Sequence, residues 1–196
     1  SFPAICGPVT STHEELSNLG GGFPTSSTYS TPVVGATHTF NTESQWYKVI
    51  ITGGGGGGGD VSGDPQRGYG GFNGGTVIKS AQITELTATF TVGAGGAANA
   101  NGEDSTWDEG SAVNLVAGAG NTHVDGNESI ATGGDINLPG GSPSTKNDRS
   151  DPGAGSYWGP SSYNEGSGAY GSGGAGGDVG QPPTAGRPGV ILIEEF

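Results

Sequence analysis

The sequence is poor in most of what catalytic and nucleic-acid-binding proteins are built from. It has one cysteine, Cys6, so no internal disulfide framework can substitute for a core. It has 6 Lys and Arg against 19 Asp and Glu, a formal charge of −13 at pH 7. Phosphate backbones are held by clustered cations, which argues against a nucleic-acid partner and against an anionic membrane surface. The acidity favours solubility and suits a cation or a positively charged partner patch without identifying either. No apolar run approaches the ~18 residues of a membrane span. No charged-then-apolar secretion signal opens the chain. A start at Ser1 fits a processed protein or a fragment.

Catalytic and ligand motifs are equally scarce. The run Gly53–Gly59 is followed by Asp60, where a phosphate loop needs lysine and a hydroxyl. Residues 173–178 match the start of a calcium-binding nonapeptide, but Gly180 stands at its large apolar position and no tandem copy follows. Glu103, Asp104, Asp108 and Glu109 surround Trp107. They invite a metal, sugar or glycosidase reading, yet in so acidic a chain a solvated loop is the simpler expectation. His13, His38 and His123 lack metal-ligand spacing. With no G-x-S-x-G elbow, and Cys6 the lone thiol, the expectation is a protein without catalysis, cofactor or metal.

What the sequence does have is glycine: 43 residues, with 12 prolines, in a chain of 196. Unperiodic chains of that composition are usually low-complexity or disordered. The 30% hydrophobic content argues instead for an ordered structure in which glycine is a building element. The glycines are also periodic. Gly168, Gly171, Gly174, Gly177 and Gly180 are three residues apart, as are Gly68, Gly71 and Gly74, and Gly186 and Gly189. A repeat of three is the period of polyproline II geometry, which makes no hydrogen bonds within its own turn. The spacing predicts short triplet helices packed side by side, exchanging backbone hydrogen bonds that only glycine lets come close enough.

Strand patterns are few. Tyr47–Ile51 and Leu86–Val92 alternate, Val190–Ile193 is continuously apolar, and Thr76–Ile78 is a weaker fourth. Residues 1–45 differ in character, being rich in Ser, Thr and Pro. Thr12 and Glu15 have capping-box spacing for a short helix ending near Gly20, and Val33–Val34 with Thr37–Phe40 suggests a strand. The organisation expected is an attachment segment over 1–45 and a glycine-rich domain over 46–196. The fold class is mainly β and irregular: short strands plus layered polyglycine II helices with exposed loops.

A triplet-helix scaffold has little interior room for rings. Tyr69 and Phe72 in the loop 60–73, Trp107 in the loop 97–110, and Tyr157, Trp158 and Tyr163 in the loop 156–165 are therefore candidate contact residues. The alternative is that they close the core as ordinary hydrophobes. Lys146 and Arg149 lie in the polar loop 142–151 and join the candidate set.

The ordered pieces also resemble a known family. Trp46–Thr52 runs into Gly53–Gly59, Phe90–Val92 runs into Gly93-Ala94-Gly95-Gly96, Gly133–Gly140 follows, and Gly189–Phe196 closes the chain. This succession, over residues 46–196, is similar to the glycine-rich C-terminal domain of tailed-phage fibre and adhesin proteins. The resemblance implies a polyglycine stack at a fibre tip on the virion, outside the host cell. It also implies loops that bind a bacterial outer-membrane protein or lipopolysaccharide, other fibre or tail proteins as partners, and no chemistry. It leaves open whether such a tip is a monomer or a homotrimer. A structural cap of a fibre end and an ice-binding polyglycine protein are the alternatives; the long, chemically varied loops speak against both.

Overall fold

The computed structural model describes residues 24–60, 68–110, 112–122, 128–143, 152–161, 168–178 and 181–196. Its elements are all strands: β1 (Thr25–Tyr29), β2 (Val33–Thr39), β3 (Trp46–Thr52), β4 (Gly59–Asp60), β5 (Gly68–Tyr69) and β6 (Thr76–Gln82). They continue with β7 (Thr87–Val92), β8 (Ser105–Glu109), β9 (Val113–Ala117), β10 (Ala131–Thr132), β11 (Ile136–Leu138) and β12 (Val190–Glu195). No described residue is helical. The helix expected after Thr12 falls outside the described residues.

Ten of the strands form two five-stranded antiparallel sheets, ordered β1-β12-β3-β6-β11 and β10-β9-β8-β7-β2; β4 pairs with β5. The sheets face each other across one core. Alternation puts Tyr47, Val49 and Ile51 of β3 inside, against Ala88, Phe90 and Val92 of β7 and Val113, Leu115 and Ala117 of β9. The four strands expected from apolar pattern are all present, and the Val33–Phe40 segment is β2. Strands β1 and β2 come from the segment before residue 46, and pair with β12 and β7.

Beyond one end of this sandwich the same strands continue as glycine segments. β3 runs into 53–58, β7 into 93–97 and β9 into 118–122; segments 70–75, 100–104 and 184–189 lead into β6, β8 and β12. The segment 53–58 is the axis. Its N–H groups point in three directions with a repeat of three residues. Gly53 and Gly56 donate to Gly75 and Phe72, Gly54 and Gly57 to Glu103 and Ala100, and Gly55 and Gly58 to Arg187 and Thr184, all at 2.9–3.0 Å. Its carbonyls accept from three other segments: Gly54 from Gly120, Gly55 from Gly96, and Gly56 from Gly174.

The six neighbours are also joined to one another. Phe72 donates to Asn121, Gly102 to Gly120, Glu103 to Ala94, Gly186 to Gly96, Arg187 to Ser172, and Gly74 to Gly171. These bonds close a ring through 70–75, 118–122, 100–104, 93–97, 184–189 and 171–176. One triplet helix thus lies inside six others, the hexagonal packing that a threefold backbone allows. Glycine is obligatory on the axis. A Cβ on any residue from Gly53 to Gly58 would come well inside 3.0 Å of a backbone oxygen: Gly118 or Asn121, Ala94 or Ala97, Ser172 or Ala175. Layered polyglycine helices were expected; that they form a closed ring around the longest run was not.

Candidate recognition surface

The junction between sandwich and glycine array is tied by hydroxyls. Ser105 Oγ donates to the Thr52 carbonyl at 2.8 Å and accepts from Gly93 N at 3.0 Å. The Thr52 and Thr76 hydroxyls are 2.8 Å apart. The array then carries each segment away from the sheets, toward a far end where described connections lie. Two are tight. Asn99, in the left-handed region (φ 63), turns 93–97 into 100–104, and its Oδ1 accepts from Asp60 N at 3.1 Å. Asp178 and Gln181 exchange backbone hydrogen bonds before the return through 184–189. Strands β4 and β5 pair at the same end, Gly59 with Tyr69 one residue past the axis. Ala97, Ala98, Asn99, Asp178 and Gln181 are exposed there, as is Asp60, and Tyr69 is half-buried.

The expected contact residues divide between two places and the interior. Tyr157 and Trp158 do not lie at the far end. Trp158 Nε1 donates to Thr52 Oγ1 at 2.8 Å, which places both rings on the flank beside the junction. Their rings meet edge to face, with centroids 5.2 Å apart, and Tyr157 is 49% exposed. Lys146, Arg149 and Tyr163 lie outside the described residues. The segment that holds the two cations leaves after Gly141, bonded to Asn73, and returns at Pro152 beside Gly70.

Two candidates are corrected. Trp107, expected in a loop, lies in β8 and is fully buried. Its ring packs among Phe40, Tyr47, Phe90 and His38. Phe72 is likewise buried, inside the ring segment 70–75. The sandwich gives aromatic rings the interior that a purely triplet scaffold lacks.

Three of the acidic residues around Trp107 accept from backbone or hydroxyl donors, whereas Asp108 Oδ1 is buried with no hydrogen-bond partner among the described residues. Asp104 accepts from Ala119 N at 2.7 Å, and Glu103 from Ala94 N at 3.3 Å. Glu109 is fully buried. It accepts from Tyr47 OH at 2.7 Å, from Thr84 N at 2.8 Å and Oγ1 at 3.2 Å, and from Glu85 N at 3.1 Å. Burial, and then this carboxylate, push the Tyr47 hydroxyl's pKa far above its ordinary value. His38 is a second buried polar group that spacing did not reveal. Tyr29 OH lies 2.9 Å from its Nδ1, and Glu195 Oε1 lies 3.1 Å from its Nε2.

No group of three or more metal-binding side chains occurs among the described residues. Every N–H from Gly53 to Gly58 is bonded to a carbonyl, so the run has no amides to offer a phosphate. What the fold defines is a loop-bearing all-β domain whose loops stand on a glycine array. The glycine-rich domain family matches residues 26–193, and the chain belongs to it. A comparison with curated proteins finds no match.

Proposed function

We propose that this protein is the receptor-binding tip of a tailed-phage fibre, acting by adhesion and without catalysis or cofactor. The observation that carries the reading is the ring of triplet helices. It fixes the ends of several chemically different connections on one rigid base. Loops held this way lose little entropy on binding. The ordered succession of strand and glycine segments that resembles phage adhesins supports the same reading. The partner is a bacterial outer-membrane protein or lipopolysaccharide. The contact set is drawn from Tyr69 and the 142–151 segment with Lys146 and Arg149, and from the Tyr157–Trp158 flank with Tyr163. Of residues 1–45, β1 and β2 belong to the sandwich, so the attachment to other fibre or tail proteins expected of that segment falls to the residues before β1.

The test is binding of the purified protein to a panel of bacterial cells. One variant carries Lys146→Ala with Arg149→Ala, and another Tyr157→Ala with Tyr163→Ala; Trp158 stays because it bonds Thr52. The expected result is saturable binding to a few strains, lost in at least one variant whose unfolding midpoint is unchanged. Folded protein that binds no strain would leave the structural-cap and ice-binding readings in its place.

A further inference from the structure

On one side of the glycine ring, two neighbouring side chains hold polar atoms that nothing among the described residues satisfies. Gly186 and Gly189 face inward, where a Cβ would strike the Gly55 and Thr52 carbonyls, so threefold rotation turns Arg187 to the outside of the ring. Gly173 and Gly174 face Gly71 and Thr184, and the same rotation turns Ser172 outward. The two residues are joined, Arg187 N donating to Ser172 O at 2.9 Å. Ser172 is fully buried. Its Oγ and the buried Nε of Arg187 both lack a hydrogen-bond partner among the described residues. A buried donor without an acceptor destabilises the arrangement that holds it.

Charge and rings complete the setting. Lys48 and Lys79 are paired with Glu194 and Asp135, whereas Arg187 has no carboxylate partner among the described residues. On a chain of net charge −13, a guanidinium without a carboxylate points to an anion from outside. Beside it lies the aromatic flank. Gly171 N donates to the Pro188 carbonyl at 2.7 Å, which sets the Tyr170 backbone beside Arg187 and Pro188. Ser156 Oγ donates to the Tyr170 carbonyl, which brings Tyr157 and Trp158 alongside. Tyr157 is 49% and Tyr170 38% exposed, and Trp158 is half-buried.

We infer that Arg187, Ser172 and the rings of Tyr157 and Tyr170 form a binding site for a sugar unit that carries one acidic group, a carboxylate or a phosphate. The inference rests on the adhesin reading and names the ligand class of its Tyr157–Trp158 flank. An oxyanion engages Nε and a terminal guanidinium nitrogen together as a fork, with the Ser172 hydroxyl as a further donor. Arg187 is half-buried, so the open part of its side chain can turn Nε toward a ligand. The C–H face of a sugar ring is apolar and packs on an exposed aromatic face, whose hydroxyl tip stays in water. The acidity of the chain limits the ligand's charge. It repels a polyanion, but at physiological salt it is screened beyond about 8 Å, which leaves room for one acidic group beside the guanidinium. A protein partner needs about 800 Å² on each side, whereas a sugar unit is held by a cation, a hydroxyl and a ring face. A surface polymer presents that unit repeatedly, so weak single contacts add through avidity.

NMR titration of the full chain, following the Arg187 Nε–H and Trp158 Nε1–H signals, tests this. The probes are glucuronate and glucose 6-phosphate, with glucose and inorganic phosphate as controls. The acidic sugars should move both signals with Kd on the order of 1 mM, and the tighter of the two tells carboxylate from phosphate. Glucose and inorganic phosphate should each bind about tenfold more weakly or worse. Arg187→Gln keeps the backbone bonds and should weaken acidic-sugar binding about tenfold or more. Ser172→Ala removes an unpaired hydroxyl; it should weaken binding about fivefold without lowering the unfolding midpoint. Tyr157→Ala with Tyr170→Ala should reduce the sugars to the level of inorganic phosphate. Signals that neither acidic sugar moves, inorganic phosphate bound as tightly as the sugars, or binding that Arg187→Gln leaves intact would overturn the inference. If bacterial strains are bound equally by wild type and Arg187→Gln, the inference also falls, and an outer-membrane protein takes the sugar's place with the adhesin reading intact. Acidic sugars bound as expected, with no strain bound, would keep the site and remove the adhesin reading.

Discussion

Adding one methyl group at Gly58 should cost far more than adding it at Gly59. At Gly58 the new Cβ falls well inside 3.0 Å of the Ala175 carbonyl, both oxygen and carbon. At Gly59 the nearest atom is the Asn99 side-chain oxygen at 3.4 Å, an ordinary contact. Relieving the Gly58 clash requires the 171–176 segment to retreat by about 1 Å or more to reach normal contact distance. That retreat strains three bonds of 2.9 Å: Gly174 to Gly56, Thr184 to Ala175, and Gly58 to Thr184. Each is worth about 1 kcal/mol net, and a buried group left unpaired costs about 1–3 kcal/mol. Overpacking alone is typically about 1–3 kcal/mol. Gly58→Ala should therefore lose about 3–5 kcal/mol, a large part of the roughly 5–15 kcal/mol a domain has. Gly59→Ala should be neutral or gain up to about 1 kcal/mol, because alanine narrows the unfolded ensemble. Urea unfolding followed by tryptophan fluorescence measures both. At a domain of this size the Gly58 variant should also melt about 10 °C lower. Equal midpoints for the two variants would refute the packing argument.

Other expectations follow from the core. Glu109→Gln keeps the shape but turns two acceptor oxygens into one acceptor and one donor facing Tyr47 or Thr84; it should cost about 2–3 kcal/mol in denaturant midpoint. Tyr47 ionises in the unfolded chain near pH 10 but resists in the folded state. Its contribution is therefore complete below pH 10 and lost as pH rises further. Tyrosine absorbance should show a hydroxyl that titrates only with unfolding, and Tyr47→Phe should remove that step. Trp107→Ala should cost about 3–5 kcal/mol while leaving cell binding of the still-folded fraction unchanged. Loss of binding without loss of stability would return Trp107 to the contact surface.

Where the sequence could be read, a periodic signal met a matching environment. The apolar alternation of Tyr47–Ile51 and Leu86–Val92 gave strands because one face of each sheet is buried. The triplet spacing of glycine gave threefold packing because a Cβ has no room on the axis. Strand β8 was hidden by its own chemistry: Asp108 and Glu109 read as solvated, and Glu109 is buried only because Tyr47, Thr84 and Glu85 supply its donors. Strand β9 carried a legible alternation, with Val113, Leu115 and Ala117 inward, obscured by the glycine tract that follows. Strand β1, Thr25–Tyr29, has almost no apolar residue and exists through its pairing with β12. Contact residues were the least legible part, since exposure of a ring depends on tertiary placement. Trp107 and Trp158 look alike in sequence, yet one lies in the core and the other on the flank.

The claim on which the rest depends is that Gly53–Gly58 is an ordered axis with every amide bonded to a neighbouring segment. Amide hydrogen exchange of those six glycines, resolved by NMR, tests it directly. The account predicts protection set by global unfolding, slowed about 10⁴-fold or more relative to a free chain. Exchange of these glycines at free-chain rates, while the amides of β3 and β12 stay protected, would contradict it.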